Sequence, residues 1–371
     1  MAAEEKRRIR YAVIGLGNIA QVAMLPAFEH AKENSELVAL VSSDPEKLRE
    51  LGRRYGVEHL GSYDDLERII EEARVDAVYI AVPNSLHRTM TERAARACAH
   101  VLCEKPMAMT EADCRAMIDA TRRHGVKLMI AYRLHFEQAN LHAVERIRGG
   151  EIGEPRIFSS VFGHQVREGD IRTRRDMGGG ALFDMGIYCI NAARHLFDDE
   201  PIEVYARQIV GTDERFRDVD EMTSALMIFP GERIAQMTAS QGASDVSELR
   251  VVGTTGHIRL DPAYEYAGDL HAFVTTPGEG EKKHTVSKRD QFAPELVHFS
   301  QCILDGTDPV PSALEGLADV RIMEAIVRAA RTGAKVELPP AQPPAHPTGD
   351  LTQSKPPTKK VETVNAPSPS K

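Results

Sequence analysis

The 371-residue sequence contains no tryptophan, only five cysteines, and no C-x-x-C motif. Five scattered thiols do not form a disulfide framework, and metal-binding cysteines usually occur as close pairs. We therefore predict reduced cysteines, a cytoplasmic location and no metal site. Because tryptophan is absent, an aromatic side chain in any functional site must come from tyrosine or phenylalanine.

Basic residues are the minority among the charges, with 46 Lys and Arg against 55 Asp and Glu, and the formal net charge is −9. Proteins that bind nucleic acids or anionic membranes are usually basic, so neither partner is expected. No uncharged apolar run approaches the roughly 18 residues that a membrane-spanning helix needs. The charged start of the chain lacks an apolar signal core.

Short apolar runs alternate with helical segments up to residue 133. The runs predict buried strands at residues 9–15, 36–42, 76–82, 100–103 and 127–131. Strands separated by helices of this length indicate right-handed βαβ units and a parallel sheet covered on both faces. The prediction for residues 1–133 is an α/β, doubly wound Rossmann domain.

The pattern changes after residue 133, where strand-like runs follow one another with few helices. Consecutive strands favour an antiparallel sheet, so residues 134–337 are predicted to form an α+β domain with an open, mostly antiparallel sheet. Residues 338–371 hold 9 of the 21 prolines and no aromatic residue. This composition predicts a disordered tail, which acts as a spacer or as a polyproline ligand.

A glycine-rich loop with the sequence GLGNIA follows the first predicted strand and precedes a helical segment. In this fingerprint, the first glycine permits a tight turn and the second lets the backbone approach a pyrophosphate. The phosphates then face N–H groups at the start of the helix. The loop predicts a dinucleotide site that includes Gly15, Gly17, Asn18, Ile19 and Ala20.

The end of the second predicted strand decides between NAD and NADP, because an acidic residue there binds the ribose 2′-hydroxyl and repels a 2′-phosphate. This chain has Ser42 and Ser43 at that point, with Lys47 one turn into the next helix. Asp44 could bind the ribose, but the Pro45 that follows favours an N-cap role. We predict NADP, with NAD as the weaker alternative.

Two further motifs carry groups suited to proton transfer. Glu104 and Lys105 follow a short predicted strand, at the edge where doubly wound sheets bind ligands. Asp184 and Tyr188 follow the Gly178–Gly180 run and are four residues apart, so they share one helix face. We expect the glycines to permit close approach of a ligand. A nearby lysine charge would favour the tyrosinate and suit Tyr188 to general acid–base work.

The GLGNIA, AVPNSLH, CEKP and GGGALFDMGIY segments together resemble the Gfo/Idh/MocA family of oxidoreductases, over residues 8–337. The similarity is greatest to the branch with glucose–fructose oxidoreductase and NADP-dependent aldose dehydrogenases. The resemblance implies catalytic roles for Lys105, Asp184 and Tyr188, and an oligomer formed through the second sheet, either a homodimer or a homotetramer. Tyrosine stands where inositol dehydrogenases of the family have histidine, which favours oxidation of an aldose at C1.

The resemblance also implies which side chains surround the two ligands. Besides the glycine loop and the serine segment, the implied cofactor contacts are Pro83, Asn84, His87, Glu104, Lys105 and Arg133. The implied sugar contacts are Arg133, His135, Asp184 and Tyr188. Arg172 and Arg175 match positions near substrate or cofactor.

The leading hypothesis is an NADP-dependent enzyme that transfers a hydride from C1 of a cyclic aldose and yields the lactone. Tyr188 would be the general base, Lys105 would hold the hydroxyl, and Asp184 would orient the sugar. Three alternatives remain: an aldose/ketose oxidoreductase that retains NADP, an enzyme like trans-dihydrodiol dehydrogenase, and a non-catalytic NADP-binding regulator. Few residues precede the first strand, so no long N-terminal arm is expected to cover the cofactor, and we expect NADP to exchange freely.

Overall fold

The computed structural model describes residues 7–341 and 347–370. The predictions for residues 1–6, 342–346 and 371 lie outside this described part. The chain divides into two compact units. The first comprises Met1–Arg133, Arg289–Gly316 and Gln353–Ser368, and the second Leu134–Lys288, Leu317–Thr352 and Pro369–Lys371.

The strands of the described chain lie in two sheets, one in each unit. In chain order they are β1 Ile9–Ile14, β2 Ser35–Val41, β3 His59–Gly61, β4 Ala77–Ile80, β5 His100–Glu104, β6 Leu128–Ala131, β7 Pro155–Gly163, β8 Glu203–Ile209, β9 Met222–Phe229, β10 Arg233–Ser240, β11 Val246–Gly253, β12 His257–Leu260, β13 Leu270–Thr276, β14 Gly280–Val286 and β15 Val336–Glu337.

The α-helices of the described chain follow the same numbering. They are α1 Leu25–Ala27, α2 Pro45–Tyr55, α3 Leu66–Glu72, α4 His87–Arg96, α5 Glu111–Arg123, α6 Gln138–Arg148, α7 Ile187–Phe197, α8 Ala293–Asp305 and α9 Ala313–Thr332. Single π-helical turns, Ala20–Met24 and Leu182–Gly186, precede α1 and α7.

The sheet of the first unit has the strand order β3-β2-β1-β4-β5-β6, and its strand pairs are parallel. The order reverses between β1 and β4, which is the switch point where doubly wound folds bind ligands. The predicted Rossmann sheet is confirmed. The short β3 was not predicted, because three residues are too few to show a pattern.

Helix α8 belongs to the first unit, although the sequence places it in the predicted second domain. The hydroxyl of Ser300 lies 2.9 Å from Tyr11 Oη on β1 and 2.7 Å from Ser35 Oγ on β2. Asn34 Nδ2 donates to the Val297 carbonyl at 2.9 Å. These buried polar bonds between distant segments fix α8 on the sheet, and sequence periodicity does not reveal them.

The sheet of the second unit has the order β14-β13-β12-β11-β7-β10-β9-β8-β15. Only the central β7 and β10 pair in parallel within this described sheet, so the predicted open, mostly antiparallel sheet is confirmed. Side chains alternate along the strands between two faces. One face is buried with α7, where Phe197 packs edge-on against Phe229 at 5.0 Å between ring centroids.

Where the structure describes it, the proline-rich tail makes hydrogen bonds to other segments of the chain, which the prediction of a disordered spacer did not include. Val364 N donates to Gln21 Oε1 at 2.7 Å, and Arg54 Nη1 donates to the Glu362 carbonyl at 2.7 Å. In the second unit, Arg167 N donates to the Pro369 carbonyl at 2.9 Å. Composition argues only that a segment cannot form its own core. It does not show that polar groups elsewhere satisfy its backbone.

Candidate functional site

The glycine loop joins β1 to the helical segment 20–30 and leaves space where a dinucleotide is expected. Gly15 has φ +92°, and a Cβ there would lie 2.5 Å from the Ala81 carbonyl oxygen, so only glycine fits between β1 and the end of β4. A Cβ on Gly17 would meet no atom within 4 Å. Gly17, Asn18 and Ile19 are partly exposed, and Ala20 is buried. The open space above Gly17 fits a pyrophosphate.

The turn after β2 orients the groups predicted to select the cofactor. Asp44 accepts hydrogen bonds from the N–H groups of Glu46 at 2.9 Å and Lys47 at 3.1 Å, so it is the predicted N-cap of α2. These bonds, that of Lys47 foremost, lower the pKa of the carboxyl group. Ser42 is 4% exposed and its Oγ accepts from Asp44 N, while its predicted contact with a phosphate stays a prediction. The exposed Ser43 and the half-buried Lys47 are more accessible.

His87 links two loops of the first unit. Its ring is fully buried, with Nδ1 2.8 Å from the Pro106 carbonyl and Nε2 3.0 Å from the Val82 carbonyl. Burial lowers the pKa of the ring. These bonds give His87 a role in positioning the loops, and its implied contact with the cofactor stays a prediction, as do those of the partly exposed Pro83 and Asn84.

The Glu-Lys-Pro segment ends β5, next to the switch point. Tyr79 Oη donates to Glu104 Oε1, and Lys105 N donates to Glu104 Oε2 at 3.2 Å. Burial raises the pKa of Glu104, while the charge of Lys105 opposes this shift. The carboxyl group is thus held by two donors, and it fixes the backbone from which the Lys105 side chain projects.

A second acidic side chain, Glu295 on α8, was not identified from the sequence. It is fully buried, and burial followed by the charge of Glu104 raises its pKa well above the usual carboxyl value. Arg133, which is 6% exposed, donates to Gln291 Oε1 at 2.5 Å. Because α8 is remote in sequence from the Glu-Lys-Pro segment, no local pattern links these residues.

In the second unit, the predicted base and its acidic neighbour lie in successive parts of one helical segment. Asp184 belongs to the π-helical turn and Tyr188 to α7. Arg172 Nε donates to Asp184 Oδ2 at 2.9 Å, and Arg172 also bonds to Asp170. The half-buried Tyr188 ring packs edge-on against Phe162 at 5.6 Å. Single π turns are frequent at functional sites.

Two of the three glycines before this helix, Gly179 and Gly180, closely approach the protein's own chain. A Cβ on Gly179 would lie 2.3 Å from the Arg172 carbonyl oxygen, and one on Gly180 would lie 2.2 Å from Asp220 Oδ1. Asp220 also accepts from Leu182 N at 2.9 Å. The expected approach of a ligand to these glycines is therefore corrected: they let the Arg172 loop and Asp220 hold the start of the helix.

His135 belongs to a buried polar network in the second unit. Its Nε2 lies 2.9 Å from Asn191 Oδ1, and Asn191 Nδ2 donates to Asp319 Oδ2 at 2.8 Å. Asp319 in turn accepts from Arg194 at 2.7 Å. His135 and Tyr188 also line a partly open cavity of about 30 Å³. Arg175 donates to the Asp218 carbonyl at 2.8 Å.

None of the helices in the described residues has the length and apolar character needed to cross a membrane. Two family profiles match the chain. Residues 9–132 match the oxidoreductase family with an NAD-binding Rossmann fold, and residues 140–259 match the GFO/IDH/MocA C-terminal domain.

Similar proteins are named for reactions of sugars. D-xylose 1-dehydrogenase [NADP(+)] of Haloarcula marismortui is 33% identical over 89% of this chain and 93% of its own. A dTDP-3,4-didehydro-2,6-dideoxy-α-D-glucose 3-reductase of Streptomyces violaceoruber is 33% identical over 81% of this chain and 86% of its own. The solved aldose–aldose oxidoreductase of Caulobacter crescentus, complexed with glycerol, is 40% identical, covers 90% of this chain and 100% of its own, and has a TM-score of 0.85. The family that the motifs predict is confirmed, and the chain belongs to the Gfo/Idh/MocA oxidoreductases.

Proposed function

We propose that this oxidoreductase uses NADP to oxidise a cyclic aldose at C1 and yields the lactone. The observation that carries the proposal is the presence of Lys105, Asp184 and Tyr188 on family motifs, in a chain 33% identical to an NADP-dependent D-xylose 1-dehydrogenase. The names of the reductase and of the aldose–aldose oxidoreductase place sugars among the substrates of similar proteins.

The first unit supplies the residues that would hold NADP. The pyrophosphate would lie over Gly17 and bind N–H groups at the start of the helical segment, as helix N-termini bind phosphates. Ser43 and Lys47 would bind the 2′-phosphate. When bound, NADP⁺ accepts the hydride that leaves C1. Glu104 orients the lysine backbone through its bond to Lys105 N.

The proton leaves from the hydroxyl group on C1. Tyr188 Oη takes this proton as general base, and the Lys105 ammonium group holds the same hydroxyl oxygen. Asp184 accepts a hydrogen bond from a further sugar hydroxyl, and its carboxylate is held in place by Arg172. Buried polar groups of this kind fix the orientation of a ligand that carries many hydroxyls. Arg133 and His135 would bind further hydroxyl groups of the sugar.

A second candidate is an aldose–aldose oxidoreductase, in which one sugar is oxidised and another reduced on the same bound cofactor. The observation that favours it is the 40% identity to the Caulobacter crescentus enzyme of that name. The two candidates share the C1 chemistry and differ in whether NADP leaves between the half-reactions.

We also propose that two copies of the chain associate through the outer face of the second sheet. Apolar side chains recur on this face of adjacent strands, where Ile157 of β7 pairs with Ile234 of β10 and Ile209 of β8 pairs with Met222 of β9. Ile157, Ile234 and Ile209 are 46%, 41% and 47% exposed. An apolar patch of this kind marks an interface. Light scattering would show an oligomer for the wild type and a monomer for Ile234→Glu; a monomeric wild type would contradict the proposal.

The experiment that tests the function is a panel of aldoses assayed with added NADP⁺. Formation of NADPH and of the matching lactone supports the dehydrogenase. Lactone and polyol formed without added cofactor support the second candidate. If no aldose gives either product, the proposed substrate class is wrong.

A further inference from the structure

The C-terminal tail crosses the part of the first unit that the glycine loop and the end of β2 define. Asn18 Nδ2, in the glycine loop, donates to the Ala366 carbonyl at 3.0 Å. One residue earlier, Asn365 Nδ2 lies 3.1 Å from Asp44 Oδ2 and 2.9 Å from Glu46 Oε2, both after β2. Two consecutive tail residues therefore bond to the two places where a pyrophosphate and a ribose are expected.

The tail is anchored on the N-terminal side of these contacts. The backbone of Val364 makes two bonds with Gln21, donating to Oε1 at 2.7 Å and accepting from Nε2 at 2.9 Å. Towards the start of the segment, Lys355 Nζ lies 2.5 Å from Glu33 Oε2, and Arg54 donates to the Glu362 carbonyl. Ala366 is 7% exposed. These contacts give the segment a defined path over the unit.

The contacts of the tail are compatible with a bound dinucleotide. They end on side chains of Asn18, Gln21, Asp44 and Glu46, whereas a pyrophosphate binds backbone N–H groups of the loop. Asn365 donates to carboxylate oxygens of Asp44 and Glu46, which are not expected ligands of a 2′-phosphate. The segment can thus lie over the adenosine half of the cofactor.

We propose that the segment Gln353–Ser368 forms the outer wall of the dinucleotide site and slows release of NADP. The inference rests on the proposed use of NADP, and it reverses the expectation from the sequence that the cofactor exchanges freely.

The test measures cofactor release without any sugar. The full-length protein is loaded with NADPH and mixed with excess NADP⁺, and the loss of bound NADPH fluorescence gives the dissociation rate. Asn365 has φ +46°, so Asn365→Gly removes the amide without straining the backbone. Val364→Pro removes the N–H that bonds to Gln21. The matched control is Lys360→Ala, an exposed position of the same segment.

We expect a truncation after Thr352 to release NADPH at least about tenfold faster, with smaller accelerations in Asn365→Gly and Val364→Pro, because contacts made in the complex act mostly on dissociation. Lys360→Ala should release at the wild-type rate. If the point variants keep their fold by circular dichroism and neither they nor the truncation release faster, the segment is not a wall. Tighter binding after truncation would show instead that it competes with the cofactor. If release behaves as expected but no aldose reacts, the proposed substrate fails while this inference stands.

Discussion

Two glycine-rich turns in this chain each precede a π-helical turn, yet their glycines serve different purposes. At Gly17 a side chain would enter open space, whereas at Gly180 it would collide with Asp220. The first turn leaves room for a ligand, and the second lets the protein's own chain hold the helix that carries Tyr188. The sequence alone therefore does not show whether a glycine-rich turn makes room for a ligand or for the protein's own chain. The contacts around each glycine show this.

The largest expected effect concerns the two groups proposed for proton transfer, of which Tyr188 lies on the helix after the second turn. Tyr188→Phe and Lys105→Met should each lower kcat by about 10²-fold or more, the usual contribution of a general acid–base group. Dissociation of NADPH should change little in Tyr188→Phe. Turnover near the wild-type rate in Tyr188→Phe would mean that another group is the base.

The second turn should respond to a methyl group with a loss of stability. Gly180→Ala combines a φ of +117° with the clash against Asp220, and strain of this type costs about 2 kcal/mol in the free energy of unfolding. Gly169→Ala is the control, because Gly169 has φ +76° but no atom within 4 Å of a Cβ. Chemical denaturation measures both. Equal losses in the two variants would show that the contact with Asp220 contributes nothing.

The preference for NADP over NAD tests the roles proposed for the residues that follow β2. NADP should exceed NAD in kcat/KM by at least about tenfold, or 1.4 kcal/mol. Lys47→Ala and Ser43→Ala should narrow this ratio, while Arg53→Ala, far along the same helix and 81% exposed at its side chain, should not. A preference for NAD would show that Asp44 binds the ribose in addition to capping α2.

The first turn should respond to a methyl group in the opposite way from the second. Gly17→Ala should leave the free energy of unfolding unchanged, because its Cβ meets no protein atom. It should raise the KM for NADP⁺ about fivefold, or roughly 1 kcal/mol, by filling the space of the pyrophosphate. If Gly17→Ala is destabilised and its KM for NADP⁺ is unchanged, the first turn does not make room for a ligand, and the proposed difference between the two turns is wrong.

The sequence predicts the sheets well because their strands carry local patterns. Buried apolar runs identify β1, β2, β4, β5 and β6, and consecutive strand-like runs indicate a second, mostly antiparallel sheet. The Asp44 cap is predicted for the same reason, since a cap and its helix are adjacent in sequence. Local pattern is thus sufficient wherever the interacting residues are near neighbours.

The features that the sequence does not reveal depend on contacts between distant segments. Helix α8 joins the first unit through Ser300. The tail also contacts the first unit, where Val364 bonds to Gln21, 343 residues away in the chain. His87 is part of a family motif, but only its two carbonyl partners show that it positions loops. Glu295 near Glu104 has no local signal at all. Such residues require the fold before their role can be stated.

The most direct test of the proposed C1 oxidation follows the hydrogen that is transferred. An aldose deuterated at C1 is incubated with the purified protein and NADP⁺, and the NADPH and the sugar product are analysed by mass spectrometry. Hydride transfer from C1 predicts that deuterium appears in the NADPH and that the product is an undeuterated lactone. Deuterium retained in an oxidised sugar would show that the hydride leaves from another carbon and would contradict the account.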